Sequence, residues 1–237
     1  MILYLVRHGE PDYATDTLTE AGKRQAVLCA QRLAAGGIDE IHSSPMGRAM
    51  ETAQPLSGLL GLPVIPEEWA RELQQEGRTV YPDGVSKTIS SLPVEHLHRP
   101  EYRTMDSETA LRSVPGLDAP ALGERYRALT AGLDGMLSGL GYVRTEDGFY
   151  RQEKPNDRHI ALFCHCAMMR ILLSHLLHLP YQLLASTMQS HFTGITILYF
   201  AEEGKNVPSP ALISYGDVGH LYADGAPLTH YFSKSLF

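Results

Sequence analysis

With 237 residues, of which 43% are hydrophobic and 20% charged, the chain has the composition of an ordinary globular protein of one large domain. The net charge is −7 and there is no block of basic residues, which argues against nucleic acid as a partner. An anionic ligand must therefore be attracted by a local positive site. The three cysteines, an odd number, argue against a disulfide framework and favour a reducing compartment.

The chain begins directly with an apolar segment and lacks the basic region and cleavage site of a secretory signal. The apolar run 168–179 contains Arg170 and two histidines and is too short to span a membrane. We therefore expect a cytoplasmic protein without membrane contact, folded as a single domain over 1–237. The oligomeric state is left open, with a homodimer as one option.

The first predicted element is a buried strand at Ile2–Val6, which Arg7, His8 and Gly9 follow. The run is short and apolar and ends near a glycine, a pattern that favours a strand over a helix. In open α/β sheets the chemistry lies just beyond the carboxyl ends of such strands. Arg7 and His8 fall at that position.

Thr19 is the predicted N-cap of a helix that ends at Gly36, and a short strand follows at 38–42. Further along the chain, the pattern predicts a strand at 62–65, a helix at 121–140, a hairpin around an Asp147–Gly148 turn, a strand at 159–164, helices at 167–177 and 180–188, and strands at 195–200 and 211–215. Strands that alternate with helices predict a mainly parallel sheet covered on both faces.

A second helix is predicted from Met46 to Leu60, with Ser44 as its N-cap and Pro45 at its first position. This helix carries Arg48 in its first turn. A cation there opposes the helix dipole unless an anion is bound at the same place. A solvated surface arginine is the alternative interpretation of Arg48 alone.

From about Gly77 to Pro120 the periodicity is lost, which is typical of a surface insertion or cap. This segment, which we call the 77–120 segment, contains cationic and titratable side chains: His96, His98, Arg99 and Arg103. They can meet a second anionic group on a substrate, or they are merely solvated. We expect the segment to determine substrate choice rather than chemistry.

Two guanidiniums and two imidazoles fall at predicted strand ends or a helix start, namely Arg7, His8, Arg48 and His165. Because a parallel sheet brings these ends to one edge, the four side chains are expected to form a pocket for a dianion. Arginine presents a planar fork that matches phosphate oxygens. The neutral imidazole of His8 is the natural nucleophile near pH 7.

The segments Leu5–Glu10, Leu18–Ala26 and Ser43–Ala53, together with Cys164-His165, resemble the histidine phosphatase superfamily, also called the phosphoglycerate mutase-like family. The resemblance implies a three-layer α/β/α fold and a phosphohistidine mechanism that needs no metal or other cofactor. It assigns His8 as the nucleophile. It also assigns phosphoryl binding to Arg7, Arg48 and His165.

The resemblance further implies a proton donor after the second helix, and Glu72 is the best match, with Glu68 and Glu76 as competitors. Ala14 stands where the family often has asparagine, and Cys166 stands where glycine usually follows the second histidine. The tryptophan motif that commonly follows the donor is also missing. These departures leave the core chemistry in place but make the substrate class harder to carry over.

Two remaining features have competing interpretations. Cys164 and Cys166 flank His165 and suggest a metal site, but no second cluster complements them, so a core role as small hydrophobic residues is favoured. His191 and His220 lie near the ends of late strands, where either substrate contact or a core or surface role is open.

The predicted function is hydrolysis of a small phosphorylated metabolite. The first alternative is a phosphoglycerate mutase-type phosphotransferase. The second is an inactive phosphate-binding module, which would need only the cations and not the nucleophile.

Overall fold

The computed structural model describes residues 1–73, 78–80, 86–88, 100, 107, 109, 119–154, 156–201 and 210–225. The strands are β1 (Ile2–Arg7), β2 (Pro11–Asp12), β3 (Thr17–Leu18), β4 (Glu40–Ser43), β5 (Val64–Pro66), β6 (Arg78–Val80), β7 (Ser86–Thr88), β8 (Tyr142–Arg144), β9 (Tyr150–Gln152), β10 (His159–Cys164), β11 (Ile195–Tyr199) and β12 (Ala211–Asp217). The helices are α1 (Glu20–Ala35), α2 (Gly47–Leu60), α3 (Ala119–Gly139), α4 (Cys166–Leu177), α5 (Tyr181–Thr187) and α6 (Gly219–Asp224), with a 3-10 turn at Glu68–Ala70.

The central sheet is mainly parallel, as the sequence predicts. Its strand order is β12-β11-β1-β10-β4-β5. β1 pairs in parallel with β10, β10 with β4, and β4 with β5, whereas β11 runs antiparallel to both of its neighbours. Consequently the carboxyl ends of β1, β10 and β4 meet at one edge, where ligands bind in such sheets.

The two central strands are buried on both faces, which explains their continuous apolar sequences. On β10, Ile160 and Leu162 point into a core built with α3 and α4, and Ala161 and Phe163 point into a second core built with α1 and α2. On β1, Leu5 points into the first of these cores and its neighbour Val6 into the second. Helices therefore cover both sides of the sheet, which confirms the predicted three-layer α/β/α fold.

The helix starts show one correct prediction and one error. Thr19 caps α1, because its side chain accepts a hydrogen bond from the backbone N–H of Gly22. Ser44, by contrast, is not the N-cap of α2. That helix begins after Met46, and the N–H of Gly47 donates to a carboxylate from another loop, Asp16, over 2.8 Å.

The predicted hairpin around residues 147–148 is present as β8 and β9, and Gly148 has a φ of +83°, which glycine adopts without strain. Much of the 77–120 segment lies outside the described residues. Within it, β6 and β7 pair antiparallel, and the hydroxyl of Ser107 lies 2.9 Å from that of Ser174 on α4. No helix among the described residues has the length and apolar character needed to cross a membrane.

Candidate active site

The sheet edge brings four of the predicted site residues together. Arg7 pairs with Cys164 in the parallel register, so the residues that follow each strand are neighbours. The rings of His8 and His165 have centroids 5.2 Å apart. The Nε of Arg48 lies 3.3 Å from Nε2 of His8. Residues distant in the sequence are thus gathered around one imidazole.

The hydrogen bonds of His8 determine which of its nitrogens carries the proton. Nδ1 lies 2.7 Å from the carbonyl of Gly9, which can only accept, so Nδ1 carries hydrogen and donates. Nε2 faces the Nε–H of Arg48, which can only donate. The ring is therefore neutral with its lone pair on Nε2, the form required of a nucleophile.

The His8 loop is tied to the helix that carries Arg48. The N–H of Gly9 donates to Oγ1 of Thr52 over 2.9 Å. The hydroxyl of Thr52 donates in turn to the carbonyl of Arg48 over 2.6 Å. Because all four residues belong to one hydrogen-bonded chain, the distance between the imidazole and the guanidinium is fixed by the fold.

Arg48 is oriented by an acidic residue on a nearby loop. Its Nη1 pairs with Asp16, whose other carboxylate oxygen accepts the N–H of Gly47. A Cβ at Gly47 would lie 2.2 Å from the carbonyl oxygen of Asp16, so only glycine permits this approach. Asp16 thus replaces the predicted cap at the start of α2 and anchors Arg48 as well.

Arg7 is held by the segment that precedes β11. Its Nη1 donates to the carbonyl of Ser190, and its guanidinium carbon lies 4.2 Å from the ring centroid of Phe192. The Nε of Arg7 is buried and has no hydrogen-bond partner among the described residues. A buried donor without a partner is costly, which suits a group that binds an anion when one is present.

His165 is the most deeply buried of the four side chains, with no exposed surface. Its Nε2 lies 2.7 Å from the hydroxyl oxygen of Ser44. Its Nδ1 is buried without a partner among the described residues. Ser44 therefore serves to orient this histidine, instead of capping α2.

Both histidines are kept neutral by their surroundings. Burial, and then the charges of Arg7 and Arg48, hold the pKa of His8 well below its usual range. Burial also lowers the pKa of His165, with further contributions from His8, Arg48, Arg7 and Arg125. A buried site in which two guanidiniums lie beside two neutral imidazoles favours an incoming anion.

Glu72 lies at the start of the helix that follows His165. Its carboxylate accepts the backbone N–H of Met168 over 2.9 Å and of Ala167 over 3.2 Å, on the first turn of α4. A third N–H, from Leu73, donates over 2.9 Å. The carboxylate is thereby fixed at the same end of the sheet as the histidine pair.

Glu68 and Glu76 are the alternative candidates for the proton donor. Glu68 is an exposed residue, with 75% of its side chain accessible, and pairs with Arg71 on the surface. Glu76 lies outside the described residues. The geometry of the described residues therefore favours Glu72 over Glu68 as the candidate proton donor.

Two of the three cysteines pack in the core, as the sequence suggests, whereas Cys166 is only partly buried. Cys29 and Cys164 are buried, and burial raises the pKa of the Cys29 thiol to about 12 and raises that of Cys164 too. The sulfur of Cys166 accepts an N–H from Arg170 over 3.3 Å. In the part of the chain that the structure describes, no cluster of three or more histidine, cysteine or acidic residues is arranged to hold a metal ion.

Several residues of the site escape sequence reasoning because their partners are far away in the chain. Asp16 anchors Arg48, Thr52 holds the His8 loop, and Phe192 packs against Arg7. For Ser44 the sequence pattern predicts only a cap. A weak signal was available for Phe192, since it lies just before a predicted strand of the same sheet.

The family model described as the histidine phosphatase superfamily (branch 1) matches residues 3–211. The chain belongs to the histidine phosphatase superfamily. A probable phosphoglycerate mutase GpmB of Yersinia enterocolitica is 30% identical to this superfamily member over 190 residues, which are 75% of each chain. A protein of the same name from Yersinia pestis is 40% identical over 80 residues, 30% of this chain and 37% of the relative.

Solved structures share the fold of this superfamily member. A phosphoserine phosphatase of Entamoeba histolytica in complex with phosphoserine superposes with a TM-score of 0.61, at 23% identity, covering 93% of this chain and 98% of the other. A mycobacterial glucosyl-3-phosphoglycerate phosphatase superposes with a TM-score of 0.56, at 21% identity, covering 92% and 99%. The three-layer architecture is thus shared over nearly the whole of both chains.

Proposed function

We propose that this protein hydrolyses a phosphomonoester of a small metabolite through a phosphohistidine at His8. The observation that carries the proposal is the lone pair on Nε2 of His8, which faces the Arg48 guanidinium in a buried, positively charged pocket. A binding module needs the cations but has no use for an imidazole held in its nucleophilic tautomer.

In the first step, Nε2 of His8 attacks phosphorus in line with the departing oxygen, and the P–O bond breaks as the P–N bond forms. Glu72, in its protonated form, donates its proton to the leaving oxygen, which departs as an alcohol. Arg7, Arg48 and His165 donate N–H groups to the equatorial oxygens, where charge gathers in the transition state. The phosphoryl group displaces the resting contact between Arg48 and His8.

In the second step, water attacks phosphorus and the P–N bond breaks, which releases inorganic phosphate and returns His8 to its neutral form. Glu72, now a carboxylate, accepts the proton of the water. The guanidiniums of Arg7 and Arg48 supply the positive charge in this scheme, and His165 adds a neutral N–H donor. We therefore expect turnover to persist after treatment with a chelator.

The names of the curated relatives favour one competing function. The Yersinia enterocolitica relative is called a probable phosphoglycerate mutase, an activity that returns the phosphoryl group to a second acceptor instead of water. A mutase must protect the phosphohistidine from water until the acceptor is bound.

The experiment is to incubate the chelator-treated protein with a panel of phosphorylated metabolites, including phosphoserine and 3-phosphoglycerate. Release of inorganic phosphate and formation of isomerised ester are measured in the same sample. Phosphate release in excess supports the phosphatase. Isomerisation in excess supports the mutase, and the absence of both products supports a binding module.

A further inference from the structure

Residues 190–194, which we call the 190–194 wall, pack directly beside the candidate nucleophile. The ring of Phe192 lies 5.8 Å from the His8 ring and 4.2 Å from the guanidinium carbon of Arg7. The N–H of Thr193 donates to the carbonyl of His8 over 3.2 Å. Any movement of the wall would therefore displace both the imidazole and one of its cations.

The wall contains an unfavourable backbone conformation. Thr193 has a φ of +54°, in the left-handed region that β-branched residues rarely adopt, and it is fully buried. The next residue is confined too, since a Cβ at Gly194 would lie 2.4 Å from the hydroxyl oxygen of Ser190. Such conformations persist only where the surrounding structure holds them in place.

The side chain of Thr193 is contacted by a histidine of α6, His220. Nε2 of His220 lies 3.0 Å from Oγ1 of Thr193, while the same hydroxyl donates its proton to the carbonyl of Phe192 over 2.7 Å. Because the hydroxyl has one proton, His220 must be the donor in the first of these bonds. His220 is therefore protonated at Nε2, and its buried Nδ1 has no partner among the described residues.

The charge state of His220 fits this role. Its side chain is buried, and burial together with the nearby Arg32 lowers its pKa to about 4, although Asp217 acts in the opposite direction. At neutral pH the ring is thus uncharged and retains one fixed donor. His220 on α6 is thus linked to His8 through Thr193.

We propose that His220 is a positioning residue that holds Thr193 in its left-handed conformation and thereby keeps Phe192 against Arg7 and His8. It acts through the wall and not on the substrate. The inference rests on the proposed role of His8 as nucleophile. His220, on which the reaction would then depend, lies 212 positions after His8 in the sequence.

The test compares His220→Leu, which removes the donor, with His220→Gln, whose side-chain amide can still donate to Thr193. We expect His220→Leu to lower kcat for an aryl phosphate about tenfold with a smaller change in KM, since small displacements of reacting groups are costly. His220→Gln should retain kcat within about twofold. The matched control is His175→Leu, a histidine on α4 bonded to Asp134, which should lower the free energy of unfolding but leave kcat unchanged.

Thr193→Val keeps the branched shape but removes the hydroxyl, and with it both the bond from His220 and the bond to the carbonyl of Phe192, so it should lose at least as much kcat as His220→Leu. The double variant should lose no more than Thr193→Val alone, because His220→Leu then removes a bond that is already absent. Losses that add, or a His220→Leu enzyme with wild-type kcat, would overturn the inference. Nitrogen-15 shifts of the His8 ring provide a measurement independent of turnover.

These outcomes separate the inference from the proposed function. If the unaltered protein turns over no phosphate ester, the proposed function fails. The positioning role is then still decided by whether the His8 shifts change in His220→Leu and return in His220→Gln. Unchanged shifts in His220→Leu would overturn it.

Discussion

The Nε–H of Arg48 points at Nε2 of His8 across 3.3 Å, while Nδ1 of the same ring donates to the carbonyl of Gly9. The guanidinium of Arg48 thus faces the nitrogen that we propose as the nucleophile. The same proximity makes protonation of the imidazole unfavourable, because a cation already occupies the position where the second proton would be added. The pH dependence of the reaction follows from this relationship.

The activity is expected to persist into acidic solution. Because burial and two arginines hold the pKa of His8 well below its ordinary value of 6.5, the nucleophile stays neutral until the pH falls well below that value. The acidic limb of a kcat/KM profile should therefore lie well below pH 6.5. In Arg48→Gln the residual activity should show this limb at higher pH, because one of the two positive charges that lower the pKa of His8 has been removed. If the acidic limb of the wild-type kcat/KM profile lies at or above pH 6.5, the assignment of His8 as the nucleophile is contradicted.

Loss of the Asp16 carboxylate should weaken catalysis through Arg48. Asp16→Ala removes both the ion pair with Arg48 and the acceptor for the N–H of Gly47, so we expect kcat/KM to fall about tenfold. Asp16→Asn keeps an acceptor for that N–H and should lose less. Asp12→Asn, at the end of β2 just before this loop, is the matched control. A wild-type kcat/KM in Asp16→Ala would show that the ion pair has no catalytic consequence.

Replacement of the proposed acid should discriminate between leaving groups. Glu72→Gln keeps the size of the side chain but cannot transfer a proton, so alkyl phosphates should lose about a hundred- to ten-thousand-fold in kcat. Aryl phosphates with acidic leaving groups should lose far less. The control is Glu68→Gln, which alters an exposed carboxylate paired with Arg71. Equal losses for both substrate types would instead indicate a positional role for Glu72.

The 77–120 segment is expected to select the substrate. Replacing its cations Arg99 and Arg103 with alanine should change KM and the order of preference among substrates, because binding energy remote from phosphorus is lost. The phosphoenzyme should still form at His8. Arg151→Ala, at an exposed position on the β8–β9 hairpin, is the control. An unchanged order of preference would contradict a specificity role.

The elements that carry the site are predictable because their signals are local. β10 begins at His159 and ends at Cys164, as its apolar run predicts, and Thr19 is recognisable as a cap from its immediate neighbours. Alternation of strands and helices is sufficient to place Arg7, His8 and His165 at one edge of the sheet. The motifs then identify the family.

What the sequence does not reveal depends on contacts between distant residues. Ser44 has the local pattern of a cap, but the fold places the Asp16 carboxylate at that helix start and turns Ser44 towards His165. The link between His220 and Thr193 joins residues of two different elements. Neither periodicity nor composition reports on such a pair, so it becomes visible only in three dimensions.

The central claim is that the phosphoryl group passes through His8. A labelled phosphate ester is mixed with the protein, quenched within milliseconds, and the denatured chain is examined for an acid-labile, base-stable phosphoryl group by peptide mapping. His159→Ala, which alters a histidine at the far end of β10, is the matched control. We predict label on His8 in the native protein and in His159→Ala, and none in His8→Ala. Label of equal amount in His8→Ala, or mapped to another residue, would contradict the account.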